Sequence, residues 1–358
     1  MPYGAVESLV TLQAENLGSI VQTVPAEPPD LSQVSDLIRT TKSVFICDPR
    51  PTTAAILKLL APVLAQTEGM RVYASTPKKI EQQVPDLKGR LLTLPPPIKE
   101  EGGESFSPEL TAPGEKAFIG TAIPDPLYGV VDARVAMCQN WGAGAAAAGT
   151  SSRKDLEPTP FVRTPSYDAM SAFAGKAGSA HFIDVVPRGG KPGRILADAS
   201  FPALLDGFEK LDVAPAKGAI VGIGGAGFDD TLSAAIRGVW TILQGVRKGG
   251  QVLLVSECGE GLGSRALEMM ATGRPVRESG QKGAYVDGAE ETFYLAKLKE
   301  EYEPLLLSGL PDTYAKSGLG LSTARGSGEA VGRLLNKAGR TAKLNVFPRA
   351  LECRVASG

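Results

Sequence analysis

The chain has 358 residues, more than one ordinary domain holds and suited to two of roughly 150–200 residues each. Thirty-eight Lys and Arg offset 39 Asp and Glu, and the resulting net charge of −1 excludes generic nucleic-acid binding through a basic field. Hydrophobic residues at 43% and charged residues at 22% are globular values, no apolar run approaches the ~18 residues of a membrane span, and the first residues lack a basic n-region, so neither a membrane anchor nor a signal peptide is expected.

One histidine, His181, and four widely spaced cysteines, Cys47, Cys138, Cys258 and Cys353, are present. No CxxC or HxxxH spacing occurs, which excludes a zinc site made of adjacent ligands. Reduced thiols and a cytoplasmic location are the expectation. The 42 Gly and 27 Pro imply many tight turns.

Residues 1–42 are weakly patterned, with Pro25, Pro28 and Pro29 as breaks and a short helix over 31–39. Residues 43–48 read as a buried strand ending at Asp48, followed by the rigid turn Pro49, Arg50, Pro51. A helical apolar period over 53–66 runs through Ile56, Leu59, Leu60, Val63 and Leu64, and 71–75 reads as a second strand. Strand, helix, strand means a parallel α/β layer. Residues 95–116 are rich in Pro, Gly and Glu and read as a flexible insert that proteases cut first. Strands follow at 117–120, 181–186 and 194–197, with a helix at 201–211; residues 142–149 fit a helix or a loop equally well.

The second half alternates more regularly. A strand at 218–223 leads to a helix from 230 to about 248, capped by Asp229 and closed by Gly249 and Gly250. Strands at 251–256, 304–308 and 343–347 alternate with helices at 264–271 and 327–338. The expected fold class is α/β, in two domains with doubly wound parallel sheets. Residues 1–214 form the first and 215–358 the second, with the last residues able to return to the first.

Gly222, Gly224 and Gly227 satisfy G-x-G-x-x-G between a strand and a helix, the context of a dinucleotide fingerprint. The strand-end acid, Glu257, comes later than the fingerprint's ~20-residue spacing. Asp229 and Asp230 also place negative charge where a phosphate would sit. A tight turn capped by Asp229, an anion site involving Gly224 and Gly225, and a nicotinamide site all remain open readings. A second glycine cluster, Gly259, Gly261 and Gly263, follows the next strand, and open α/β sheets bind ligands at that edge.

Three segments, GGAGFDDTLSAAIRG, VRKGGQVLLVSECGEGLGS and YEPLLLSGLPDTYAKSGLGL, carry a resemblance. Over about residues 180–350 the chain resembles the nickel-pincer lactate racemase family, and CDPRPTTAAILKLLAPVL resembles that family's first helix entry. The resemblance implies two α/β domains with a ligand cleft between them. It also implies racemisation of a 2-hydroxy acid through a nickel-pincer nucleotide, with a histidine ligand, a covalent lysine and two histidine acid–base groups.

Here Asp125 stands near the ligand histidine's position, Arg134 near the lysine's, and Ser233 and Arg237 where the family's helix carries Tyr and Lys. Asp48 and Arg50 are retained, and His181 aligns with a structural strand. Racemisation needs a base on each face of the substrate, and one histidine cannot supply both and a ligand as well. The expectation is a divergent racemase or epimerase relative with altered or lost activity and no bound cofactor. The alternatives are a non-catalytic protein that binds a small anion or a protein partner, itself included, and a nicotinamide oxidoreductase. The ligand-binding candidates are Asp48, Arg50, Gly224, Gly225, Asp229, Ser233, Arg237 and Glu257, with no metal ligand.

Overall fold

Apolar runs that stop at a turn residue become strands, and the amphipathic stretches between them become helices. The computed structural model describes residues 1–25, 27, 29–94, 105–153, 155–276 and 285–357. Two six-stranded sheets organise them. In the first the order is Lys191–Ala197, Ala180–Arg188, Lys116–Thr121, Ser43–Ile46, Arg71–Ala74, Leu91–Leu92, parallel except for the first hairpin. The second is parallel throughout: Ser322–Ala324, Glu303–Leu307, Val246–Val255, Ala216–Gly222, Leu344–Phe347, Leu17–Ile20. The protein is therefore mixed α/β with parallel sheets.

Each sheet has a point where the chain reverses its winding direction. In the first it lies between Ser43–Ile46 and Lys116–Thr121, and in the second between Ala216–Gly222 and Leu344–Phe347. Crevices open at the carboxyl ends of strands at such points.

An aromatic ladder crosses four parallel strands of the first sheet. Tyr73, Phe45, Phe118 and Phe182 sit at paired positions, their rings stacked at 5.0, 4.7 and 5.3 Å between centroids. Trp141, on the helix Ala133–Trp141, meets Phe45 edge-on at 5.8 Å. Such pairs add to area burial because ring edges and faces carry opposite partial charge. The core that holds this ladder continues into Val221, Ile223 and Leu254 of the second half.

Several elements depart from the sequence reading. Helix Pro51–Gln66 buries Ile56, Leu57, Leu60, Ala61 and Leu64, whereas Leu59 is 55% exposed. The inward face follows i, i+1, i+4, i+5, i+8, and Leu59 falls beside it. The helix expected from 230 to 248 is only Leu232–Val239 and is capped by Thr231, whose hydroxyl accepts from the Ala234 N–H. The chain is already in the strand Val246–Val255 when it reaches Gly249 and Gly250. Residues 1–20 turn towards the second sheet, where Leu17–Ile20 forms its edge strand. Glu209–Val213 and Cys353–Ser357 make a separate parallel pair.

Of the insert expected over 95–116, residues 95–104 lie outside the described residues. From 105 onward the chain forms the strand Ser105–Phe106 and the turn of helix Pro108–Thr111, with Phe106 and Leu110 buried. The apolar pair of this stretch is thus a docking contact, and the polar composition around it concealed that.

Replacing Phe45 with Ala should lower the unfolding free energy by ~3–5 kcal/mol, because it opens a void in the middle of the ladder. Leu59→Ala should stay within ~0.5 kcal/mol. Urea unfolding of both variants checks the contrast, and equal losses would contradict the stated packing.

Candidate functional site

The carboxyl ends of both sheets face a common cleft of about 420 Å³. Asp48 and Arg50 enter it after the strand Ser43–Ile46, and Ser75, Thr76 and Lys79 after Arg71–Ala74. Gln139 and Asn140 come from the helix Ala133–Trp141, while Thr231 caps the helix Leu232–Val239 and Ser233 and Arg237 lie on its first and last turns. Sequence reasoning singled out Asp48, Arg50, Ser233 and Arg237, and all four line this one cleft.

Asp48 is buried at the first sheet's winding reversal. Its carboxylate accepts from the Arg50 N–H (2.9 Å), the Thr53 hydroxyl (3.0 Å) and the Thr121 N–H (2.6 Å). It ties the end of one strand to the end of its neighbour and to the start of the helix Pro51–Gln66. Pro51 at the first helical position leaves no N–H to satisfy and fixes the turn that projects Arg50.

Arg50 is 21% exposed, and its only ion pair among the described residues is a loose 3.6 Å contact to Asp48. Its Nε–H is buried with no acceptor. The guanidinium lies 5.7 Å from the centre of the Phe228 ring, a cation–π contact. Most of its hydrogen-bonding capacity is therefore unused.

Arg237 is the opposite case. Its Nε donates to Asp125 at 2.8 Å, and one terminal nitrogen reaches Glu290 at 3.0 Å and Glu291 at 3.3 Å. Three buried carboxylates thus hold one largely covered guanidinium, whose charge is compensated before any ligand arrives. The four-residue spacing that put Ser233 and Arg237 on one helix face is correct, but both side chains point to acidic partners. The Ser233 hydroxyl donates to Glu291. Sequence reasoning missed Glu290 and Glu291 because it placed no element over the helix Ala289–Glu301 whose first turn they occupy. The apolar spacing of Tyr294, Leu295 and Leu298 could have revealed that helix.

A second recess of about 230 Å³ opens behind Arg237 and shares Gln139, Ser233 and Arg237 with the cleft. Glu290, Glu291, Asp287 and Tyr285 line it, and the Tyr285 hydroxyl donates to Glu290 at 3.1 Å. Burial pushes the Glu291 carboxyl up to about 7; Arg237 opposes that shift and Glu290 adds to it.

The glycine loop turns its donors inward. Ala226 N–H donates to the Gly4 carbonyl, Gly227 N–H to Asp230, and the N–H groups of Phe228 and Asp229 to the Gly225 carbonyl. Helix-start donors Leu232 and Ser233 bond to the carbonyls of Gly261 and Leu262, so the two glycine loops complete each other. Asp229 is not the helix cap: its buried carboxylate accepts from the N–H groups of Gly4 (3.0 Å) and Glu257 (3.4 Å) and pins the amino-terminal segment. Gly224 and Gly225 line a separate depression beside residues 2–7, and Glu257 stands against Gly4, away from the cleft.

His181 bonds Asp198 at 2.7 Å and faces Glu115 at 3.5 Å, outside the cleft lining. Arg134 bonds Asp132 at 3.0 Å and stacks on Phe182 at 4.8 Å, also outside it. The four cysteines are buried and none is in a disulfide. No helix among the described residues is long and apolar enough to cross a membrane.

No family model matches the sequence, and no curated protein matches it. Among solved structures, the lactate racemase apoprotein from Thermoanaerobacterium thermosaccharolyticum superposes with a TM-score of 0.74 at 16% identity, covering 99% of this chain and 99% of that one. A structural-genomics protein from Thermotoga maritima gives 0.58 at 12% identity, covering 90% of this chain and 97% of that one. At these identities the likeness is one of fold: the chain has a lactate-racemase-like fold.

Glu291 titrates near neutrality when folded and near 4.5 when unfolded. The folded state therefore holds the extra proton, and its stabilising effect is present below about pH 4.5 and lost as pH rises through about 7. Unfolding free energy measured in urea should fall across that window, and Glu291→Gln should flatten the slope. An unchanged slope in the variant would assign it to another group.

Proposed function

We propose that this protein is a divergent relative of the 2-hydroxy-acid racemases that binds a small hydroxylated monocarboxylate in its cleft, with the carboxylate on Arg50. The observation that carries this reading is the unsatisfied guanidinium of Arg50 at the winding reversal of a parallel sheet. A carboxylate can fork onto it, and the pair would be largely desolvated. Asn140, Gln139 and Thr231 offer neutral polar groups for hydroxyls along the same wall. The cleft as a whole is not a positive funnel, since Asp48, Asp230 and Glu260 share it with Arg50 and Lys79. Recognition is therefore local to Arg50.

The nickel-pincer nucleotide implied by the resemblance needs a lysine anchor and imidazole or sulfur donors for a soft metal. Among the described cleft residues the lysine is Lys79, which is in an ion pair with Glu260 across the cleft. The sulfur is Cys47, whose thiol is pushed well up by burial and by Asp48, and no histidine takes part. Arg134 keeps its proton and is a poor nucleophile. The residues present do not fit that group, which supports altered or lost racemase activity, and no step is derived through it. The nicotinamide alternative is weakened by the glycine loop, whose Ala226–Asp229 donors are already bonded within the protein.

Calorimetric titration with D- and L-2-hydroxybutyrate and with gluconate tests the reading. Arg50→Ala should weaken binding by about 2–5 kcal/mol, and Arg50→Lys should recover part of the loss without the fork geometry. Equal affinity in the wild type and Arg50→Ala would end the proposal.

A further inference from the structure

The glycine loop that follows the second sheet's strand Ala216–Gly222 reaches across to the first sheet's turn at Arg50 and Pro51. Gly227 makes that approach possible. A Cβ there would lie 2.8 Å from Pro51 Cδ and 3.4 Å from Arg50 Cα, and its φ of +79° is one that other residues rarely adopt. Gly224 serves the same packing from behind. A Cβ there would lie 3.0 Å from Phe228 Cβ and 3.1 Å from its Cγ, so this side chain can seat only against a glycine. Phe228 is 5% exposed and belongs to the largest core cluster, and its N–H donates to the Gly225 carbonyl at 2.9 Å. The ring fixed in this way meets the Arg50 guanidinium at 5.7 Å, on the wall of the cleft that both residues line.

We propose that Phe228 is a positioning residue for the cleft: its ring holds the Arg50 guanidinium in place and leaves the N–H donors free for the ligand carboxylate. The inference rests on the carboxylate reading above and adds to it the group that orients the cation. Gly224 and Gly227 thereby gain a role that needs no nucleotide, as the close-packed seat of an arginine–aromatic contact.

The two contacts of Arg50 are chemically compatible. An aromatic face attracts the cation through its quadrupole and supplies no acceptor oxygen, whereas a carboxylate takes up the N–H fork. Asp48 adds only the 3.6 Å contact, so without the ring little besides its own backbone would hold the guanidinium. Ordering a free arginine side chain opposes binding, and a guanidinium already held by the ring has less order to gain.

Two measurements on the intact protein test this. Arginine-selective 15N labelling follows the Arg50 Nε–H signal, assigned by its loss in Arg50→Lys. The ring current should displace that signal from the range of exposed arginines, and Phe228→Leu should return it there. Calorimetric titration with 2-hydroxybutyrate should show binding weakened about three- to tenfold in Phe228→Leu. Binding should weaken as well with pentafluorophenylalanine at position 228, which keeps the ring's shape and reverses its quadrupole. An Arg50 signal that Phe228→Leu does not move overturns the inference. So does a fluorinated protein that binds as tightly as the wild type while Arg50→Ala does not; the carboxylate reading then stands without it. Absent binding in the wild type, or equal binding in Arg50→Ala, ends the carboxylate reading instead, and the Arg50 signal alone then decides whether the ring holds the guanidinium.

Discussion

One guanidinium, that of Arg237, is shared by acids from different parts of the chain, and much of the site depends on that arrangement. Asp125 comes from the connection that follows the first sheet's strand Lys116–Thr121, while Glu290 and Glu291 come from a helix of the second half. Removing the guanidinium would leave three carboxylates buried without a counter-charge, an arrangement that costs far more than an exposed pair. The cluster therefore holds the two sheets' edges in register across the cleft. It also decides which cation in the cleft is left to act. Arg237 is compensated, and Arg50 is not.

The position of Arg50 follows from the topology. Asp48 uses its carboxylate to join the ends of two adjacent strands to the helix start, and it does so where the chain reverses its winding direction. Three hydrogen bonds on that carboxylate leave it only a loose contact with the guanidinium two residues on. In the second sheet the chain itself engages the equivalent reversal. Its glycine loop bonds to the amino-terminal segment, and the loop after the next strand covers the helix start. At the second reversal the amino-terminal segment thus takes up a loop donor and leaves a shallower depression lined by Gly224 and Gly225 beside residues 2–7.

The parallel α/β pattern, most strands and the helix Ser327–Ala338 can be read from hydrophobic period and turn residues. Asp48 and Arg50 can be read too, because a strand ending in an acid before a Pro-Arg-Pro turn is a local signal. What cannot be read locally is pairing. Asp229 looks like a helix cap, yet its partner is Gly4, at the far end of the chain. Arg237 looks like a ligand-binding cation, yet its acids stand at positions 125, 290 and 291. The G-x-G-x-x-G spacing is real, but its N–H groups turn to Gly4 and to Gly225 and Asp230 of the loop itself, which the spacing does not reveal. Leu59 was misplaced for a simpler reason: two adjacent positions on a helix differ by 100°, and Leu57 faces inward in its stead.

The central claim is that the cleft recognises a carboxylate through Arg50. A crystal structure of the protein with 2-hydroxybutyrate tests it most directly. The account predicts the carboxylate within hydrogen-bond distance of the Arg50 guanidinium, with the Arg237 ion pairs intact. A carboxylate bound instead at the Gly224–Gly227 turn, or one that displaces Asp125 from Arg237, would contradict it.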